Sequence, residues 1–244
     1  MRRVGIIGCG RIGLPLIEAL QKEEIGNNQL VAVLTRKIRQ FGDVQSLTKV
    51  DEFIDTGLDL IIDVSTAEYF ASIALQALAS ADVWTVNVTA LADAALVQEL
   101  EDCGRNSGHR LRILHGAIAG LDGVSALAVD ELAEINMGVE VATSPDDPDT
   151  LFEGSVRDAA SRFPDGVNVA LAAGFAGTGL DQTKVKVTQP AQPNMRSLTL
   201  RGESKYGQLE VTALPVVRPD LGIHAVTASI IAALRREDQV IWVS

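Results

Sequence analysis

Val4-Gly5-Ile6-Ile7-Gly8-Cys9-Gly10-Arg11-Ile12-Gly13 is a short apolar run that breaks into G-x-G-x-x-G. The run reads as a buried strand, and beyond it Ile12, Leu16, Ile17 and Leu20 fall on one helical face. Strand, tight glycine turn and helix, in that order, form the dinucleotide-binding fingerprint. Gly8 permits the turn, Gly10 lets a pyrophosphate approach the backbone, and Gly13 lets helix and strand pack closely. Free N–H groups and the helix dipole attract phosphate there, which makes Arg11 and Ile12 candidate cofactor contacts as well.

Working outward, the helix ends near Glu24, Gly26-Asn27-Asn28 turns the chain, and Leu30 to Leu34 is the second strand. The fingerprint asks for a carboxylate at this strand's end, to hold a ribose 2′-hydroxyl. Thr35-Arg36-Lys37 stands there instead. A carboxylate repels a 2′-phosphate and Arg36 attracts one, so the expected cofactor is NADP, or NADP and NAD alike. Leu58 to Val64 is a further strand, and Ser65 or Thr66 caps the helix after it. Val83 to Val88 is the next strand, Asp93 caps a helix to Asn106, and Leu111 to Leu114 follows as another strand. This alternation predicts a parallel sheet with right-handed crossovers. Ligands bind beyond the carboxyl ends of such strands, so Ser65, Thr66, Asn87, Thr89 and His115 are site candidates.

The pattern changes after residue 114. A small, Gly-rich stretch (116–123) leads to a strand at Ile135 to Thr143 and a polar turn at 144–149. Helical pieces at Ser155 to Arg162 and Asn168 to Phe175 come next. Three strand-like runs follow: Lys184 to Thr188, Ser197 to Arg201 and Leu209 to Ala213. The fold class is α/β, a Rossmann domain plus an α+β domain with an open, largely antiparallel sheet. The expected boundaries are 1–114 and 115–222, with the last helix (223–244) packing back on the first domain.

A hydrophobic content of 47% and a charged content of 22% are those of a soluble globular chain. A net charge of −11 argues against a general nucleic-acid surface. Met1-Arg2-Arg3 runs straight into the first strand, which is not a signal peptide, and no apolar run is long enough to span a membrane. A cytoplasmic protein is expected. Cys9 and Cys103 make neither a disulfide framework nor a metal pattern.

Several stretches together resemble the L-aspartate dehydrogenase family over nearly the whole chain. GCGRIG matches its glycine loop. Asn87-Val88-Thr89-Ala90-Leu91-Ala92-Asp93 resembles its Ser-Val-Gly-Ala-Leu-x-Asp, and His115-Gly116-Ala117-Ile118-Ala119-Gly120-Leu121-Asp122 its Ser-Gly-Ala-Ile-Gly-Gly-Leu-Asp. The second of these adds Ala117 as a cofactor-binding candidate. Phe152-Glu153-Gly154-Ser155-Val156-Arg157-Asp158-Ala159-Ala160 is nearly the family's own string, and Gly179-Leu180-Asp181-Gln182-Thr183 is close to its Gly-Leu-Asp-Arg-Thr. The resemblance implies nicotinamide chemistry on an amino acid or its imino or oxo acid. It also implies a homodimer built through the second domain, for which the apolar strands there are a further motive.

The departures lie in the substrate half. The family has Asn-x-His where this chain has Asn194-Met195-Arg196, and that His is assigned a catalytic role. An imidazole passes a proton near neutral pH and a guanidinium does not. Arg196 can instead clamp a carboxylate through two parallel hydrogen bonds. Arg218-Pro219-Asp220-Leu221-Gly222 replaces the family's Asn-Pro-x-Thr-Ser, and the stretch at 144–148 is shortened. His115, just after a parallel strand, is the replacement acid/base, so the catalytic candidates are Arg196, His115 and Asn194. Blander readings make His115 a hydrogen-bonded structural residue, His109 a solvated turn residue, Lys184 and Lys186 surface cations, Asn168 a helix cap (with a cofactor or substrate role as the alternative the family match adds) and His224 a cap or pocket residue. Two functions remain open: an NAD(P)-dependent oxidoreductase of altered specificity, leaning toward imine reduction, and an NADP-binding sensor or partner subunit without turnover.

Overall fold

The computed structural model describes residues 1–22, 25–141, 150–190, 196–215 and 224–242. These fall into two compact units, Met1–Leu114 with Gly222–Val243, and His115–Leu221.

In the first unit, β1 (Arg2–Ile7) is buried over its last four residues and leads through the glycine turn into α1 (Gly13–Gln21). Next come β2 (Asn28–Leu34), β3 (Gln40–Phe41), β4 (Val44–Leu47), α2 (Val50–Ile54) and β5 (Leu60–Asp63). The chain continues through α3 (Ala67–Ser80), β6 (Asp82–Thr85), a 3₁₀ turn (Val88–Ala92), α4 (Ala94–Ser107) and β7 (Leu111–Ile113). The sheet order is β3-β4-β2-β1-β5-β6-β7, parallel apart from the β3 edge. Successive crossovers run outward from β1 in opposite directions, so the turn after β1 lies at the topological switch point. Leu60, Ile61 and Ile62 are completely buried, the continuous apolar run that a strand covered on both faces requires. Gly5 has a packing reason too: a β-carbon there would lie 2.5 Å from both the Phe53 ring and Leu58. β3, β4 and α2 escaped the sequence reading because the segment is short, polar and without a period. The strand expected from Val83 to Val88 stops at Thr85, since Asn87 (ψ 57°) already turns into the 3₁₀ segment.

The second unit begins at His115 and contains α5 (Leu121–Leu127), β8 (Glu134–Glu140), β9 (Thr150–Ser155), α6 (Val156–Arg162) and α7 (Asn168–Ala176). It continues with β10 (Lys184–Thr188), β11 (Leu198–Ser204) and β12 (Gly207–Ala213). The sheet order is β12-β11-β8-β10-β9; only β8 and β10 pair in parallel, so it is open and largely antiparallel. Ile135, Met137, Val139, Val185, Val187 and Leu200 alternate to one face and are buried. The opposite face carries Asn136, Lys184, Lys186, Arg201 and Glu210. The apolar strand residues that had suggested a dimer are therefore buried within the unit. The polar turn expected at 144–149 lies outside the described residues.

The last helix, α8 (Ala225–Glu237), belongs to the first unit. Ile230, Ala233 and Leu234 join Leu16, Ile17 and Leu20 of α1 and Val4 and Ile6 of β1 in one core. Burying an Ile or Leu side chain contributes about 1.5–3 kcal/mol. The hydrogen bond from Thr227 Oγ1 to the Ile12 carbonyl (3.0 Å) adds about 1 kcal/mol net. Burial therefore holds the helix, and the hydrogen bond sets its register against the glycine turn. At the far end Glu237 pairs with Arg112 (2.7 Å) and Arg2 (3.9 Å), whose guanidinium groups lie 4.8 and 5.3 Å from the ring centre of buried Trp84.

Candidate functional site

The three glycines of the turn do three different things. Gly8 has φ +98°, and a β-carbon there would meet the Val64 carbonyl oxygen at 2.8 Å. A β-carbon on Gly13 would run into the carbonyl oxygen of Gly8, so helix and strand pack too closely for any side chain. Gly10 is exposed, and a β-carbon there would meet nothing within 4 Å. Among the described residues, packing thus demands glycine at 8 and 13 but not at 10. Ile12 is the N-cap position of α1, which has no side-chain cap and no acidic residue in its first turn. Open backbone at a positive helix end fits a pyrophosphate, which is the test the residues here must pass to hold a dinucleotide. Arg11 is exposed beside the turn, and Ile12 is half-buried.

At the end of β2, Thr35 is buried and its Oγ1 lies 2.7 Å from both the Lys37 carbonyl and Ser46 Oγ. A carbonyl only accepts, so Thr35 donates to Lys37 and Ser46 donates to Thr35. The hydroxyl shapes the turn and leaves Arg36, Lys37 and Arg39 exposed on it.

The ends of β5 and β6 meet at Asp63, a residue with no exposed surface. One carboxylate oxygen accepts from Ser65 N–H (3.1 Å) and Ser65 Oγ (2.5 Å). The other accepts from Thr85 Oγ1 (2.8 Å) and Asn87 Nδ2 (2.7 Å). Asn87 N–H in turn donates to Thr85 Oγ1 at 2.9 Å. Burial holds the Asp63 carboxyl above its ordinary value, and the bonds from Ser65, Asn87 and Thr85 offset only part of that rise. The Tyr69 hydroxyl is pushed up by burial and then by the Asp63 charge. Thr66 caps α3, its Oγ1 accepting from Tyr69 N–H at 3.3 Å. Thr89 is buried in the 3₁₀ turn.

In the second unit His115 Nδ1 lies 2.8 Å from the Ile118 carbonyl. In the neutral ring Nδ1 therefore carries the proton and Nε2 the lone pair. Ala117 is half-buried in the turn that the Ile118 N–H closes onto the His115 carbonyl (3.3 Å). Arg196 is half-buried just before β11, and Asn194 lies outside the described residues.

Two expectations need correction. His109 is not a solvated turn residue: its Nδ1 lies 3.0 Å from the Leu78 carbonyl, in a part-buried site. Asn168 does not cap α7. The cap position is Val167, and Asn168 is the first helical residue. His224 does cap α8, its Nδ1 accepting from Val226 N–H at 3.2 Å. Sequence reading missed Asp63; the available signal was a carboxylate closing an otherwise apolar strand, Leu60-Ile61-Ile62-Asp63. Among the described residues no helix is long and apolar enough to cross a membrane.

Comparison with known proteins adds an independent line. Residues 8–114 match the family described as homoserine dehydrogenase, NAD binding domain, and residues 120–237 match aspartate dehydrogenase, C-terminal. The L-aspartate dehydrogenase of Ruegeria pomeroyi is 31% identical over 204 residues, covering 75% of this chain and 73% of the relative. That of Methanosarcina barkeri is 29% identical over 253 residues, covering 90% of each. The crystal structure of aspartate dehydrogenase from Thermotoga maritima superposes with a TM-score of 0.81 over 100% of both chains at 23% identity.

Proposed function

This chain belongs to the L-aspartate dehydrogenase family, and on that premise we propose that it is an NAD(P)-dependent oxidoreductase of altered substrate specificity. It acts on the C–N bond of an amino acid or imino acid other than aspartate. The observation that carries the coenzyme part is Gly10, whose backbone is bare although no described residue packs against it. Gly8, Gly10, Arg11, Ile12 and Gly13 hold the pyrophosphate, and Thr35 and Arg36 the adenosine ribose. Ser65, Thr66, Asn87, Thr89 and Ala117 contact the rest of the coenzyme. When bound, the nicotinamide supplies a hydride acceptor or donor. NADP(H) is the preferred form, because Arg36 stands exposed where a 2′-phosphate needs a cation and a ribose diol needs a carboxylate.

For the substrate, Arg196 holds an anionic group through its planar fork. His115 moves the proton: its Nδ1 is held by the Ile118 carbonyl, so Nε2 is the basic atom. Asn194 is assigned to the same machinery by its place in the family motif. Reduction of a preformed imine needs less proton relay than oxidative deamination, which also hydrolyses the imine, and this favours the reductive direction. The family resemblance also supports a homodimer through the second unit, for which light scattering giving twice the chain mass is the check.

The test is a panel of amino acids, and of oxo acids with ammonia or amines, against both coenzymes. Turnover with a substrate other than aspartate is the expected result. Arg196 in the place of the family's His also favours a second reading, a coenzyme-binding protein without catalysis. Tight coenzyme binding with no turnover across the panel would establish that one instead.

A further inference from the structure

Asp63 has no role in the chemistry above, yet it is fully buried and receives four hydrogen bonds from residues at two strand ends. An ionised carboxylate only accepts. Facing it are the N–H and O–H of Ser65, the O–H of Thr85 and one amide N–H of Asn87. Each bond fixes what its owner has left to offer. Asn87 cannot flip, because that would set its carbonyl oxygen against the carboxylate; Oδ1 must point away from Asp63. Ser65 Oγ, its proton given to Asp63, presents lone pairs. The Asn87 backbone is held too, through Thr85 Oγ1.

We propose that Asp63 is a positioning residue that holds Asn87 Oδ1 and the Ser65 Oγ lone pairs, at the β5 and β6 carboxyl ends, as acceptors for the hydroxyls and carboxamide N–H groups of the nicotinamide riboside half of the coenzyme. This rests on the coenzyme reading above. The adenosine ribose is assigned to the Thr35–Arg36 turn at the end of β2, whose hydrogen bonds run to Lys37 and Ser46 and not to Asp63. A merely structural carboxylate would support both halves alike, and that difference is measurable.

In Asp63→Asn one of the two carboxylate oxygens becomes an amide NH₂. Whichever way the amide is placed, it sets donor against donor, at Ser65 or at Thr85 and Asn87, and those side chains must turn. The experiment titrates the unaltered protein and the variant with NADPH or NADH, whichever binds tighter, and with the matching adenosine fragment (adenosine 2′,5′-bisphosphate or AMP). The variant should lose from a few-fold to ~100-fold in affinity for the whole coenzyme, the range for one or two neutral hydrogen bonds. Its affinity for the fragment should stay within about twofold, on the order of measurement scatter in such titrations.

Thr85→Val is the milder second variant. It keeps the shape, removes one link to Asp63, and should show the same one-sided loss at several-fold. Asn87→Ala combined with Thr85→Val should lose little more than Asn87→Ala alone, because Thr85 acts on the same carboxylate oxygen and on the Asn87 backbone. An equal loss for coenzyme and fragment, or no loss for either in Thr85→Val, would overturn the proposal. Unaltered protein that binds neither ligand would instead remove the coenzyme reading and this proposal together.

Discussion

Gly10→Ala separates a binding glycine from a packing glycine. The new methyl meets nothing within 4 Å, and Gly10 is not among the residues with positive φ. The folded state therefore accepts it, and the unfolded chain loses freedom, so stability should hold or rise by about 0.4–1 kcal/mol. Gly13→Ala differs, since its methyl would collide with the Gly8 backbone carbonyl and one of the two must shift. Overpacking of that kind costs about 1–3 kcal/mol. In a domain of this size 1 kcal/mol moves the melting temperature by about 2–4 °C. Coenzyme at one hundred times its Kd stabilises by about 2.7 kcal/mol, or ~5–11 °C. A methyl at position 10 stands between backbone and pyrophosphate, and losing one or two charge-assisted bonds costs ~10- to 100-fold in affinity. At 100-fold the same coenzyme concentration equals the new Kd, and the stabilisation falls to about 0.4 kcal/mol, or ~1 °C. Thermal melts with and without coenzyme should thus show Gly10→Ala melting like the unaltered protein but with its ligand shift cut to about half or less. Gly13→Ala should melt lower. A Gly10→Ala protein that keeps the full coenzyme shift, or that melts as low as Gly13→Ala, would refute the reasoning.

The other expectations follow from single contacts. Arg36→Ala should weaken NADPH by ~10- to 100-fold and leave NADH within a few-fold, since only the 2′-phosphate meets the guanidinium; calorimetric titration of both forms reads this. Arg157 donates Nε and Nη2 to the two oxygens of Asp181 at 2.7 and 3.0 Å, which holds that carboxyl below its usual range. Because the folded value is the depressed one, the pair's contribution is present above the unfolded pKa and lost as pH falls through the folded one, in the region below about pH 4. Asp181→Asn should therefore flatten the acid limb of stability in urea unfolding between about pH 2 and 5, and added salt should shrink the difference. Arg196→His should leave aspartate turnover low, and Arg196→Ala should raise KM for the true substrate by about 2–5 kcal/mol equivalent if the contact is buried. Robust aspartate oxidation by the unaltered protein would show that this pocket has not been rebuilt.

How far the fold was legible depended on whether a segment's period outran its length. α3 and α4 run 14 residues each, with side-chain caps at Thr66 and Asp93, and the sequence marks both clearly. β3 has two residues, β4 four and α2 five, too short for any period to accumulate. Only Phe53, fully buried, anchors α2, and a lone aromatic in a polar stretch does not announce a helix. α5 was hidden differently: its N-terminus follows Gly120 at φ +83°, inside a run of small residues that reads as loop. β9 lies at the sheet edge, half-exposed along its length, so its pattern never alternates cleanly.

The site was legible where function demands an unusual residue and illegible where it demands an unusual environment. Gly8, Gly10 and Gly13 can be read from spacing because strand, turn and helix allow few alternatives. The spacing already assigns Gly10 to the pyrophosphate and Gly8 and Gly13 to turn and packing, and the space around each absent β-carbon agrees. Asp63 shows the converse. An aspartate at a strand end is ordinary in sequence, and it becomes informative only when burial and four donors converge on it. Thr35 and Thr66 were named as ligand contacts from position alone. Both hydroxyls turn out to be engaged in local structure, one in the turn after β2 and one capping α3. Thr35 has given its proton to the Lys37 carbonyl, whereas Thr66 spends a lone pair on its cap and keeps its proton, so side-chain recognition falls to Arg36, Ser65, Thr66 and Asn87. Substituting Thr35 should accordingly cost stability first and affinity second, whereas the cost of changing Arg36 should fall on affinity alone.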